Sequence, residues 1–157
     1  MVEEGTPAPD FALVADDGET VRLSALRGSP VVLYFYPKDD TPGCTAQACA
    51  IRDAWSDFQA AGAVVLGVSG DDADSKAQFR EKYALPFTLL ADTDHEVADA
   101  YGVWVEKTNY GKTYWGIERS TFVIDADGDV AKVMRRVKPD THAEQVLAAL
   151  GGTTPAA

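Results

Sequence analysis

The chain holds two cysteines, Cys44 and Cys49, both inside the stretch Tyr34-Phe35-Tyr36-Pro37-Lys38-Asp39-Asp40-Thr41-Pro42-Gly43-Cys44-Thr45-Ala46-Gln47-Ala48-Cys49. An apolar run passes there through a proline-rich turn into a helical pattern, which places Cys44 on the first turn of a helix. Free backbone N–H groups and the positive end of the helix dipole favour thiolate over thiol at such a position, and the thiolate is the nucleophile. A pair of inert, buried cysteines is the competing reading, since free cysteine is among the most buried residue types. Cys44 falls at a Pro-Gly loop instead of on an apolar face, which favours the reactive reading. Residues five apart in an unbroken helix have Cα atoms about 8.5 Å apart, and a disulfide rarely tolerates more than about 7 Å. A direct bond between the two sulfurs therefore requires the helix between them to unwind. With no third cysteine, an oxidised Cys44 must be resolved by Cys49, by a partner chain or by an external thiol.

The elements that position this stretch follow from periodicity. Val31 to Tyr36 is a continuous apolar run, read as a strand buried on both faces. Ala48, Ile51, Trp55 and Phe58 recur at helical spacing, so the pattern predicts one helix from about 43 to 60, stopped near Gly62. Ala63 to Ser69 is a second buried strand. Strand, helix, strand at this spacing is a right-handed βαβ unit, and ligands gather beyond the carboxyl ends of its strands, where Cys44 lies. Asp71, Asp72 or Asp74 caps a helix running to about Ala84; Phe87 to Leu90 is a short strand, and Asp94 to Tyr101 a further helix. The segment from Gly102 to Gly116, with Trp104, Tyr110, Tyr114 and Trp115, reads as a longer loop or irregular strand. Those aromatics either pack in the core, rim the site or form a dimer contact. Arg119 to Ile124 and Val130 to Val137 flank the turn Asp125-Ala126-Asp127-Gly128 as a hairpin. A last helix, Asp140 to Leu150, precedes a tail over 151–157 expected to be frayed, and Asp16-Asp17-Gly18 marks a small N-terminal hairpin. The order gives an α/β fold: a mixed central sheet with helices on both faces, in a single domain spanning 1–157.

At 157 residues and 46% hydrophobic composition the chain is long enough for one real core. Its formal charge of −11, from 25 acidic against 14 basic residues, repels nucleic acid and anionic membranes. The N-terminus has neither the basic start nor the apolar core of a signal peptide, and no apolar run reaches the ~20 residues of a membrane span. The expected location is the cytoplasm, where a cysteine pair is more often catalytic, redox-sensing or metal-binding than a permanent staple.

Pro37, Thr41 and Cys44 match a Pro-x-x-x-Thr-x-x-Cys signature, and the fuller Tyr36-to-Thr45 run, with a cysteine five residues after the first, resembles the peroxiredoxins, in particular the bacterioferritin comigratory protein or peroxiredoxin Q subfamily. The similarity extends through Pro9-Asp10-Phe11, Gly102-Val103-Trp104, Gly116 to Asp125, Val137-Lys138-Pro139 and His142 to Val146. The resemblance implies a thioredoxin-like fold, Cys44 as the peroxidatic cysteine and Cys49 as the resolving one. It also implies a peroxide pocket completed by Pro37, Thr41 and Arg119. Arg119 would hold sulfur deprotonated and stabilise charge on the departing oxygen. The Thr41 hydroxyl would position peroxide, the amides of Gly43 and Cys44 would add donors, and Pro37 would wall the pocket against water. Taken singly, Pro37 and Pro42 could merely end a strand and start a helix, Thr41 could be only an N-cap, and Arg119 an ordinary surface cation. The implied activity is reduction of hydrogen peroxide and small organic hydroperoxides without metal, haem or flavin. Thioredoxin or glutaredoxin is the implied reductant, and the family offers a monomer or a weak homodimer.

Other readings carry less. A thioredoxin-like disulfide reductase would normally place two residues between its cysteines, where this chain has four. In a redox sensor or holdase, oxidation of Cys44 would only remodel a surface. A metal site from the two cysteines with His95 and His142 lacks zinc-ligand spacing, and both histidines read as solvent-facing helix residues. Asp125 to Asp129 departs from a calcium loop, and Gly67 to Gly70 lacks a nucleotide fingerprint.

Overall fold

The computed structural model describes residues 2–151. Its centre is the expected βαβ unit: β3 (Val31–Phe35), α1 (Pro42–Asp53) and β4 (Val64–Ser69). β3 and β4 pair in parallel, Val31 with Val64 through Phe35 with Val68. All five β3 residues are buried because alternate side chains feed two separate cores. Val31, Leu33 and Phe35 join Phe11, Leu66, Tyr101 and Phe122 on one face, whereas Val32, Tyr34 and Tyr36 join Ala48, Ile51, Phe58, Phe79 and Val146 on the other.

The remaining elements extend this sheet on both sides. β1 (Ala12–Ala15) and β2 (Thr20–Arg22) form the N-terminal hairpin; β5 (Thr88–Ala91), β8 (Ser120–Ile124) and β9 (Val130–Arg135) complete a seven-stranded mixed sheet in the order β2-β1-β5-β4-β3-β8-β9. The Asp125 carboxylate accepts from the amides of Asp127 and Asp129, both at 3.0 Å, so the Asp-rich turn between β8 and β9 is closed by its own side chain. α3 (Ala73–Tyr83) is capped by Asp72, which accepts from Ser75 N. With α1, α2 (Trp55–Ala60) and α5 (His142–Gly151), α3 covers one sheet face, and α4 (Glu96–Ala100) packs on the other. This is the thioredoxin-like arrangement expected. The expected frayed tail beyond Gly151, which itself closes α5, lies outside the described residues.

Three expectations need correction. The helix expected over 43–60 is two helices, broken at Ala54 (φ −100°, ψ 17°); the break lets Trp55 stack on Phe58 and meet Phe87. The segment read as a longer loop or irregular strand is a regular hairpin, β6 (Trp104–Asn109) with β7 (Lys112–Ile117), turning on Tyr110 and Gly111 at φ 52° and 75°. Two successive positive φ values make a tight hairpin turn, and Tyr-Gly is a weaker signal for it than Asn-Gly. The histidines are not solvent-facing helix residues. His142 opens α5 fully buried, and His95 precedes α4 in left-handed conformation with its ring stacked on Trp104, 3.8 Å between centroids.

Candidate active site

The site forms where α1 begins, at the carboxyl end of β3. Thr41 takes the N-cap position in extended conformation, Pro42 follows as N1 with its φ already suited to a helix, and Cys44 is the third helical residue. The first helical hydrogen bond runs from Thr45 N to Thr41 O at 2.8 Å, so the amides of Gly43 and Cys44 precede it at the positive end of the helix. Thr41 holds the cap position without capping through its side chain. Its hydroxyl donates to Lys38 O at 2.9 Å and makes no capping bond, which leaves its oxygen lone pairs as acceptors.

Cys44 is only 2% exposed and belongs to the apolar core beneath α1, not to an open loop as its Pro-Gly flank suggested. What separates it from an inert buried cysteine is Arg119. The guanidinium Nη2 donates to Cys44 Sγ at 3.4 Å while Nη1 donates to Gln47 Oε1 at 2.5 Å. Arg119 stands just ahead of β8, next to β3 in the sheet, and its carbonyl accepts from Val137 N at 3.1 Å, tying the position to the end of β9. Among the described residues no carboxylate forms an ion pair with it, so its charge is directed at sulfur. Gly43 makes room: a Cβ there would lie 3.1 Å from Arg119 Nη2 and 3.6 Å from Pro139 Cγ.

Of the residues expected at the site, the structure joins Cys44 directly to Arg119 and sets Thr41 one turn before the sulfur. Pro37 is exposed, so the expected wall against water is open on its solvent side. Cys49 is half-buried farther along the same helix; both thiols are free. Gln47 was missed, although its position three residues after Cys44 puts it on the same helical face. It is fully buried, and its Nε2 has no partner among the described residues.

Two more basic groups feel Arg119. Lys107, on β6, lays its side chain over Gly116, whose Cβ would lie 3.4 Å from Lys107 Cδ, and donates to Ile117 O at 2.5 Å. Burial and the Arg119 charge push its ammonium below the usual lysine range, against the opposing pull of Glu118 and Cys44. Only the sheet register brings Lys107 here, so no local signal marks it. The hairpin's aromatics are not core residues, apart from Trp104: Tyr110 is 97% exposed and Trp115 56%.

His142 shares a 2.6 Å hydrogen bond with Thr121 Oγ1, and burial, then Arg119, pushes it down to about 4. It folds neutral. Because the unfolded chain takes up a proton near 6.5, the stabilisation is fully present above that pH, is lost as pH falls from about 6.5 to 4, and levels off below. The loss is about 3 kcal/mol. Urea midpoints measured between pH 7 and 4 should fall more steeply for the parent than for His142→Asn; parallel curves would contradict this.

A chain with this fold and this cysteine–arginine pair belongs to the AhpC/TSA family, whose model matches residues 5–133. Within that family it is 51% identical over 149 residues to a putative peroxiredoxin bcp of Coxiella burnetii, covering 95% of this chain and 99% of that protein. It is 47% identical over 146 residues to peroxiredoxin Bcp of Escherichia coli K12, covering 93% and 94%. Among solved structures it superposes on the bacterioferritin comigratory protein of Xanthomonas campestris with a TM-score of 0.89 at 39% identity, covering 96% of this chain and 98% of the other. A PrxQ of Xylella fastidiosa matches with a TM-score of 0.91 at 34% identity, covering 97% of each. The resemblance read from the Pro37-to-Cys49 stretch is borne out.

Proposed function

We propose that this chain is a thiol-dependent peroxidase that reduces hydrogen peroxide and small organic hydroperoxides without metal, haem or flavin. The carrying observation is the Arg119 N–H on Cys44 Sγ at 3.4 Å, with no carboxylate ion-paired to Arg119 among the described residues. Anionic sulfur accepts such a charge-assisted bond far more strongly than a thiol does. The Cys44 thiolate attacks the terminal oxygen of ROOH; the S–O bond forms as the O–O bond breaks, giving Cys44–SOH, and RO⁻ leaves with a proton from solvent as ROH. Arg119 has further N–H donors for the departing oxygen, the Gly43 and Cys44 amides add to them, and Thr41 accepts the peroxide O–H.

In the second step the Cys49 thiolate attacks the Cys44 sulfenic sulfur: the S–S bond forms as the S–O bond breaks, and the hydroxide takes a proton from solvent and leaves as water. Both residues lie on α1, so the helix opens for this step. An external dithiol, thioredoxin or glutaredoxin, then attacks the disulfide and returns both thiols. The reading places the protein in the cytoplasm, as one domain and as a monomer or weak homodimer. Among the described residues no helix is long and apolar enough to cross a membrane.

The test is peroxide consumption coupled to a thioredoxin system. The parent should turn over continuously, whereas Cys49→Ser should consume about one equivalent and then stall or over-oxidise at Cys44. Continuous turnover by Cys49→Ser with no small thiol present would remove Cys49 from the mechanism.

A further inference from the structure

Directly before α1, the loop that carries Pro37 and Thr41 is bound to α3 by a buried polar cluster that the chemistry does not consume. Lys76, on α3, is fully buried, and its three ammonium protons have three acceptors: Ser69 Oγ at 2.6 Å, Tyr36 OH at 3.1 Å and Asp39 Oδ1 at 3.2 Å. Asp39 Oδ1 also accepts from Tyr36 OH, and Asp39 Oδ2 accepts from Ser75 Oγ at 2.9 Å. Asp71 Oδ2 accepts from Ser69 Oγ at 2.7 Å and from the Asp39 amide at 2.8 Å. The loop is thus held through both side chain and backbone. The next residue, Asp40, stands at φ 56°, an unfavourable conformation for a residue with a side chain, and is gripped by Lys82 Nζ at 2.8 Å and Tyr83 OH at 2.7 Å. Every one of these bonds ends before Thr41, and none involves the part of α1 between Cys44 and Cys49 that must open.

We propose that Lys76 is a positioning residue that pins Asp39, so that oxidation unwinds α1 from Pro42 onward while the Pro37-to-Thr41 loop stays in place for the site to reform after reduction. A buried ammonium and carboxylate are suited to such a role because breaking the pair strands a charge without solvent, so the clamp holds until a large cost is met. Between Cys44 and Cys49, α1 is held by core packing and by the Arg119 bonds to Cys44 and Gln47; among the described residues this stretch has no buried lysine–carboxylate pair, so it opens at lower free energy than the clamped loop. This inference rests on the disulfide chemistry proposed above.

The experiment is hydrogen exchange on the parent protein, reduced and after one equivalent of peroxide, with the disulfide verified by peptide mass. After oxidation, peptides within 43–53 should exchange about tenfold faster or more, while those within 34–41 and 69–80 keep their reduced-state rates. Loss of protection at 34–41 with the disulfide present overturns the clamp alone; absence of the disulfide overturns the chemistry on which it rests. Lys76→Met should raise exchange at 34–41 in the reduced protein and slow its first reaction with peroxide about tenfold. A folded Lys76→Met with loop exchange and peroxide rate within twofold of the parent contradicts the proposal. Where that variant fails to fold, the parent comparison decides.

Discussion

Cys44→Ser should leave no peroxide turnover above background, a loss of about 10⁴-fold or more, because a neutral hydroxyl is a far weaker nucleophile than a thiolate and, among the described residues, the side chain bonded at this position is the guanidinium of Arg119, not a base. The substitution is nearly isosteric but exchanges a weakly polar thiol for a hydroxyl at a site 2% exposed, so the expected stability loss is about 1–3 kcal/mol. Stopped-flow consumption of hydrogen peroxide, with thermal unfolding as the control for folding, measures both. Were Cys44 one of the inert buried cysteines that its core position would otherwise suggest, the variant would match the parent.

Arg119→Met should lower kcat/KM for peroxide by about 10²–10³-fold, the usual range for loss of a donor aimed at developing negative charge. Two effects combine. The sulfur loses its Nη2 donor, and no other cation is bonded to it among the described residues. Gln47 Oε1 is meanwhile left without its partner in a fully buried position, at a cost of about 1–3 kcal/mol. Arg119→Lys separates charge from geometry: a single ammonium cannot reach Gln47 and Cys44 as a fork, so it should recover only part of the loss. Steady-state kinetics on both variants check this. Full activity in Arg119→Lys would show that charge alone suffices, and full activity in Arg119→Met would contradict the assigned role.

Much of this site is legible along the chain because its chemistry is local. A continuous apolar run of six β-branched, aromatic and leucine residues, Val31 to Tyr36, reads as a strand with two covered faces, and Pro37 to Cys44 stops it and starts a helix with residues whose backbone preferences fit those tasks. The thiol's place at the helix start follows without any tertiary contact. Cys44's burial does not, since a Pro-Gly flank marks a turn but not what later packs over it. Nor does the environment of His142, an ordinary polar residue on a helix pattern that proves to be enclosed between Tyr34 and Thr121. The β6–β7 hairpin escapes periodicity because it leaves most of its residues exposed on both faces, so no alternation is written into it. Lys107 and Lys76 reach their places through long-range register, which a single chain read locally cannot supply. Ala54 interrupts a helical pattern that continues through Trp55 and Phe58, so the break carries no local mark.

Reaction of the reduced protein with one equivalent of hydrogen peroxide, followed by peptide mapping and far-ultraviolet circular dichroism on the same sample, tests the core of this account. The expected product is a bond between Cys44 and Cys49 with a measurable loss of helix, reversed on reduction. Cys44 recovered as the free thiol, or the bond formed with helicity unchanged, would contradict it.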